Sequence, residues 1–110
     1  MYQDKVVLCG ASAYEKKFYL NEDFSSLPQQ VKDELKITCV LYTAEVGGVI
    51  TMEFDQDGNL DIVASSKEND LLFDEIGSAL KIKEMQIKKR ELWETLELYY
   101  KVFFLGEDLE

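Results

Sequence analysis

The sequence predicts an α+β fold in ββαββα order: a four-stranded antiparallel sheet with two amphipathic helices mainly on one face. Three observations carry that expectation. Ile50, Met52 and Phe54 alternate with Thr51, Glu53 and Asp55, and Leu60, Ile62 and Ala64 alternate with Asp61, Val63 and Ser65, on either side of a turn rich in Asp, Gly and Asn. Period-two patterning of this kind marks a hairpin with one apolar face. Leu27, Val31, Leu35, Thr38/Cys39 and Tyr42 then recur at helical spacing, and a second helical pattern runs from Leu71 to Leu105. An isolated hairpin is marginal in water, so its apolar face requires the helices.

In chain order, Lys5 to Ala11 reads as a strand rich in Val, Leu and Cys. The next segment supports two readings. Ser12-Ala13-Tyr14-Glu15 matches a helix capping box, whereas Glu15 to Leu20 alternates as a strand, and the strand is preferred because Phe18, Tyr19 and Leu20 suit a helix surface poorly. Ser26-Leu27-Pro28-Gln29 is a helix start, with Ser26 as cap and Pro28 in the first turn, and the helix should run to about Glu45 before Gly47-Gly48 ends it. Beyond the hairpin, Asn69 or Asp70 can cap the last helix, which is expected to kink or restart at Gly77-Ser78 and to close at Gly106.

A chain of 110 residues, nearly half of them apolar, fits a single domain over residues 1–110. With 22 acidic and 12 basic residues the net charge is −10, which disfavours nucleic acid and anionic membrane as partners. No stretch reaches the roughly 20 apolar residues that span a bilayer. Cys9 and Cys39 are far apart in sequence, form no C-x-x-C pair and have no histidine to complete a zinc site, so both read as buried free thiols. With neither a disulfide framework nor an export signal, the cytoplasm is the expected compartment.

The absence of histidine also removes the commonest general base and every Ser-His or Cys-His pair. Asp55-x-Asp57-x-Asn59-x-Asp61 resembles the start of a calcium loop. However, Gly58 is fourth where a glycine should be sixth, and Ser66 stands where the bidentate glutamate should be. A hairpin turn accounts for the same residues. Gly10-Ala11-Ser12 lacks the further glycines and lysine of a nucleotide-binding loop. No catalytic residue, metal ligand or cofactor site is expected.

The last helical pattern carries two stripes. At about 100° per residue, Met85, Leu92, Trp93, Leu96, Tyr99, Tyr100 and Phe103 form one broad face suited to the sheet. Leu80, Ile87, Leu98 and Leu105 fall nearly opposite, with Val102 at the margin. Either the first helix or the chain ends cover this second stripe, or it is an interface, most simply with a second copy of the chain. Lys81, Lys83, Lys88, Lys89 and Arg90 concentrate basic charge nearby. They read as a solvated face laced by pairs such as Glu84 and Lys88, with docking on an acidic surface as the alternative.

The segments KVVLCGASAYEKKFYLN, VLYTAEVGGVITMEFDQDGNL, DEIGSALKIK and LYYKVFFLGE resemble a family of short, uncharacterised acidic proteins from clostridia and related anaerobic Gram-positive bacteria. The resemblance implies a bacterial cytoplasmic setting and transfers no functional residue. The resulting expectation is a non-enzymatic interaction or adaptor module, self-associating through its C-terminal helix by way of Leu80, Ile87, Leu98, Val102 and Leu105. The alternative is a small enzyme or ligand-binding protein with a carboxylate, Tyr14 or Tyr42 in a pocket between sheet and helix. A third reading is an acidic mimic of nucleic acid, which needs its carboxylates arrayed along one face.

Overall fold

The computed structural model describes residues 5–107. It is an α+β structure with strands β1 (Val6–Ser12), β2 (Lys17–Leu20), β3 (Val49–Phe54) and β4 (Leu60–Ser65). The helices are α1 (Gln29–Val46), α2 (Glu75–Lys88) and α3 (Arg90–Phe103), and a short 3₁₀ turn covers Glu22–Phe24. The four strands form one antiparallel sheet in the order β2-β1-β3-β4. Two hairpins build it, and the 3₁₀ turn and α1 carry the chain from the edge strand β2 to the central strand β3.

The ambiguous segment after β1 is a turn and a strand. Ser12 does not cap a helix; its hydroxyl accepts from the Glu15 N–H at 3.2 Å, which closes the turn into β2. Lys16 holds a left-handed φ of 53° there. A bulge between Val7 and Cys9 interrupts the β1–β3 register, while Asn21 extends the pairing on the β2 side of β1. Asn21 donates from its side chain to the Val7 carbonyl at 2.7 Å and from its backbone to the Leu8 carbonyl at 2.9 Å.

The expected Ser26 cap is not formed. Pro28 is the residue before the first turn of α1, its carbonyl accepting from Val31 and Lys32, and Ser26 instead shares a 2.5 Å hydrogen bond with the Tyr99 hydroxyl. At the other end Gly47, at φ 77°, donates to the Thr43 carbonyl as expected of a helix terminator. Gly48 must be glycine for a second reason: a Cβ there would come within 2.6 Å of the Phe73 ring and 2.5 Å of the Ser65 carbonyl oxygen.

The last helical pattern is two helices, and its start and break differ from expectation. Asp74 is the cap, its carboxylate accepting from the Gly77 N–H at 2.8 Å. Gly77 therefore belongs to the first turn of α2 and produces no kink; a Cβ on it would lie 2.2 Å from the Asp74 carboxylate. The break falls at Lys89 (φ −105°, ψ 28°), where neither Gly nor Pro marks it. Packing accounts for the bend, because α2 lies against α1 and α3 whereas α3 lies against β4.

Ile50, Met52 and Phe54 of β3 and Cys9 and Ala11 of β1 face the helices. They meet Leu35, Cys39 and Tyr42 from α1 and Leu92, Trp93, Leu96 and Tyr100 from α3 in one continuous core. Phe24 stacks with Phe54, Tyr100 and Phe104, so an aromatic cluster fastens the 3₁₀ turn to the C-terminal end of α3. Phe103, expected on the inward face, is exposed instead, because the end of α3 runs past the sheet with only Tyr99 stacked beside it.

Candidate functional site

Once the break at Lys89 is taken into account, the second apolar stripe changes shape. Within α2, Ile76, Leu80 and Ile87 fall within about 40° of one another and opposite the buried Met85. Leu80 is 64% and Ile87 73% exposed, and Leu71 and Leu72, in the loop leading into α2, are 95% and 93% exposed. Single exposed leucines are ordinary, but five large aliphatic side chains on one helix and its approach are not scattered. Lys83 lies on the same outward face.

The remaining residues of the expected stripe lie elsewhere. Leu98 and Val102 are on the side of α3 away from Leu96 and Tyr100, Leu98 exposed and Val102 half-buried, among Glu91, Glu94 and Lys101. Leu105 follows α3 and packs toward the β3–β4 turn, where a Cβ added at Gly58 would come 3.3 Å from its Cδ1. The structure thus groups Leu80 with Ile87, and Leu98 with Val102, and sets Leu105 apart. Ile76, Leu71 and Leu72 complete the first group. Helical spacing from Ile76 to Leu80 and Ile87 was the signal for it, obscured by the expected break at Gly77.

The basic run is largely neutralised within the chain. Lys81 pairs with Glu45 of α1 at 2.9 Å and with Glu84 at 3.2 Å, and Lys88 joins Glu84 at 3.5 Å. Lys89 reaches Glu34 at 3.1 Å, and Arg90 reaches Glu94 at 3.4 Å. Hydrogen bonds to Glu45 and Glu84 raise the Lys81 pKa, and Lys81 in turn lowers that of Glu84. Two of these contacts join α1 to α2 and α3, so the lysines help hold the helices together at a modest, salt-sensitive gain.

The groups named for a sheet–helix pocket are separated. Tyr42 is fully buried in α1 and hydrogen-bonds Ser78 of α2; burial raises its pKa. Tyr14, in the β1–β2 turn, donates to the Asp70 carboxylate and accepts from the Lys67 N–H at 3.0 Å, while the Lys67 ammonium lies 4.6 Å from its ring centre. That bond raises the Tyr14 pKa and lowers that of Asp70. The pair ties the loop before α2 to the opposite hairpin. Glu53 and Asp61 face each other across β3 and β4, as the alternation implied, with Lys5 4.0 Å from Glu53.

In the β3–β4 turn, Asp55 directs its carboxylate inward to its own chain. It accepts from the backbone N–H groups of Asp57 and Asn59, both at 2.9 Å, which lowers its pKa. Those oxygens serve the turn, with Gly58 at φ 88° supplying the left-handed residue. Among the described residues, no three His, Cys, Asp or Glu side chains gather where they could hold a metal ion. Cys9 and Cys39, distant in sequence, meet in the core with 3.9 Å between their sulfurs, and the shared hydrogen bond and burial push the Cys9 thiol pKa strongly upward. That encounter had no sequence signal, because it depends on how α1 crosses β1.

A family model described as Family of unknown function (DUF6145) matches residues 5–108. The chain belongs to that family. No curated protein and no solved structure matches the chain. Membership covers the whole described fold, from β1 through the end of α3, and assigns no activity to any residue in it. Among the described residues, no helix is long and apolar enough to cross a membrane.

Proposed function

We propose that this protein is a non-enzymatic interaction module that pairs with a second copy of itself through the outward face of α2. The observation that carries the reading is the exposed Ile76–Leu80–Ile87 stripe with Leu71 and Leu72 beside it. Its arrangement is self-complementary. If two α2 helices pack antiparallel about a two-fold axis, Ile76 lies against Ile87 of the second copy and Leu80 against Lys83, whose methylene stem can cover it.

A second copy is the simplest occupant, because Ile76 and Ile87 at the two ends of the stripe meet each other in the antiparallel register. Leu98 and Val102, beyond the break, lie outside this contact. Mass in solution across a concentration series tests the proposal: Leu80→Asp and Ile87→Asp shift the equilibrium to monomer. A wild-type chain that stays monomeric at high concentration refutes it.

A further inference from the structure

A groove of about 580 Å³ runs between α1 and the β1–β2 hairpin. Ala11, Phe18, Val40 and Ala44 give it an apolar lining, and Lys16, Lys17 and Lys36 stand around it. No carboxylate lines it, although the chain has 22 acidic residues and only 12 basic ones. Among the described residues these three lysines make no ion pair, in contrast to the paired lysines of α2. Lys32 and Asp33, one turn before Lys36 on α1, add one charge of each sign on that side of the helix, and Asp33 accepts from the Gln29 side chain at 2.8 Å. Glu15 and Lys17 both border the neighbouring open face of the sheet, to which strand alternation directs Lys17 while Phe18 turns toward the helices.

Leaving Lys16 and Lys36 unpaired at the groove forgoes a favourable pairing that a net charge of −10 makes readily available. Lys16 adds a second cost. It occupies a left-handed conformation, φ 53°, in which Gly or Asn would sit without strain. An apolar concavity of this size with a few convergent charged groups has the form of a small-molecule site. We propose that this groove binds a small amphiphilic anion, a carboxylate or phosphate ester with a short apolar body, its head held by Lys16 and Lys36 and its body laid on Phe18 and Val40. The Thr43 hydroxyl at the groove is already committed to the Val40 carbonyl at 3.1 Å, so charge supplies the recognition. The site is remote from the outward face of α2 and does not depend on self-association.

The probes are octanoate and octyl phosphate, compared with octanol, octyltrimethylammonium and inorganic phosphate, each titrated into the full-length protein and read by NMR. The expected result is saturable binding of one or both octyl anions below about a millimolar. Shifts should be concentrated at the methyls of Ala11, Val40 and Ala44. Lys36→Glu should weaken binding about fivefold or more, Lys17→Glu less than about twofold, and added salt should weaken it as well. Lys16→Gly should raise the melting temperature by relieving the turn while lowering affinity, a pairing that a purely structural lysine would not produce. Preference between the two anions distinguishes a carboxylate from a phosphate source. Equal binding of octanol or the cation, equal binding of inorganic phosphate alone, shifts centred on Val49 and Val63 of the open sheet face, or no saturation would each overturn the proposal.

Discussion

Replacing Leu80 with Asp puts a charge at the centre of the α2 stripe. Fully burying a Leu or Ile side chain contributes about 1.5–3 kcal/mol. Leu80 and Ile87 retain 64% and 73% of their surface in the isolated chain, so roughly two-thirds of that gain, ~1–2 kcal/mol per side chain, is available to an interface. Two-fold symmetry counts each position twice, which makes the loss ~2–4 kcal/mol per substitution, or a dimer dissociation constant weakened roughly 30- to 1000-fold. The new aspartate would face Lys83 of the second copy, an ion pair that offsets up to about 1 kcal/mol of the loss, whereas Ile87→Asp, opposite Ile76, meets no cation and should give the larger effect. Sedimentation equilibrium over a concentration series measures it, and the wild-type melting temperature should rise with protein concentration while that of Leu80→Asp should not. Leu98→Asp, on the outward side of α3, should change the dissociation constant less than about threefold. The reasoning fails if Leu98→Asp matches Leu80→Asp, or if Leu80→Asp and Ile87→Asp leave the mass distribution unchanged.

Three further outcomes follow from the described contacts. Asp74→Ala removes the α2 cap and should destabilise by ~1 kcal/mol in urea denaturation. Gly77→Ala should be near neutral in the wild-type background, where the gain in helix propensity of ~1 kcal/mol is offset by displacing the Asp74 carboxylate, but should recover ~1 kcal/mol in the Asp74→Ala background; equal effects in both backgrounds would refute this geometry. The Tyr14–Asp70 bond acts at two ends of the pH scale. Asp70 has a lowered pKa, so its contribution is present above the unfolded carboxylate value and is lost as pH falls through the folded one. Tyr14 has a raised pKa, so its contribution is complete below the unfolded tyrosine value and is lost as pH rises through the folded one. Tyr14→Phe should therefore flatten both edges of a stability–pH profile, which thermal melts across pH will check. Finally, the buried Cys9 thiol, with its raised pKa, should resist alkylation in the native protein and react at a rate that follows unfolding as urea is added; rapid labelling without urea would place it elsewhere.

The hairpin of β3 and β4 was legible because strand alternation is a local property: Met52 and Ile62 face inward while Glu53 and Asp61 pair outside, as their spacing implied. The body and C-terminal end of α1 were legible for the same reason, since Gly47 ends the helix through its own backbone freedom. The caps were less so. Ser26 and Ser12 both have capping chemistry, but each hydroxyl is used elsewhere, by Tyr99 and by the Glu15 N–H, and those choices depend on where the chain folds back. The break at Lys89 left no residue signature, because it satisfies two packing surfaces at once. Periodicity placed Leu80 and Ile87 on one exposed face, where the structure has them, whereas adding Leu98, Val102 and Leu105 to that face required one straight helix through residue 105.

That break also explains why α2 is the helix with an unpartnered side. A straight continuation of α3 would have laid both helices along the sheet, with their opposite stripe facing outward from end to end. Bending at Lys89 lifts α2 onto α1 instead, where Tyr42 and Ser78 hydrogen-bond in the core and the Lys81–Glu45 and Lys89–Glu34 pairs close the seam. α2 then buries Met85 and Ser78 on one side and has only solvent on the other. A polar outward face would suffice for a helix whose task is to cover α1. Ile76, Leu80 and Ile87 stand on that face instead, and they are the surface that the proposed self-association would bury.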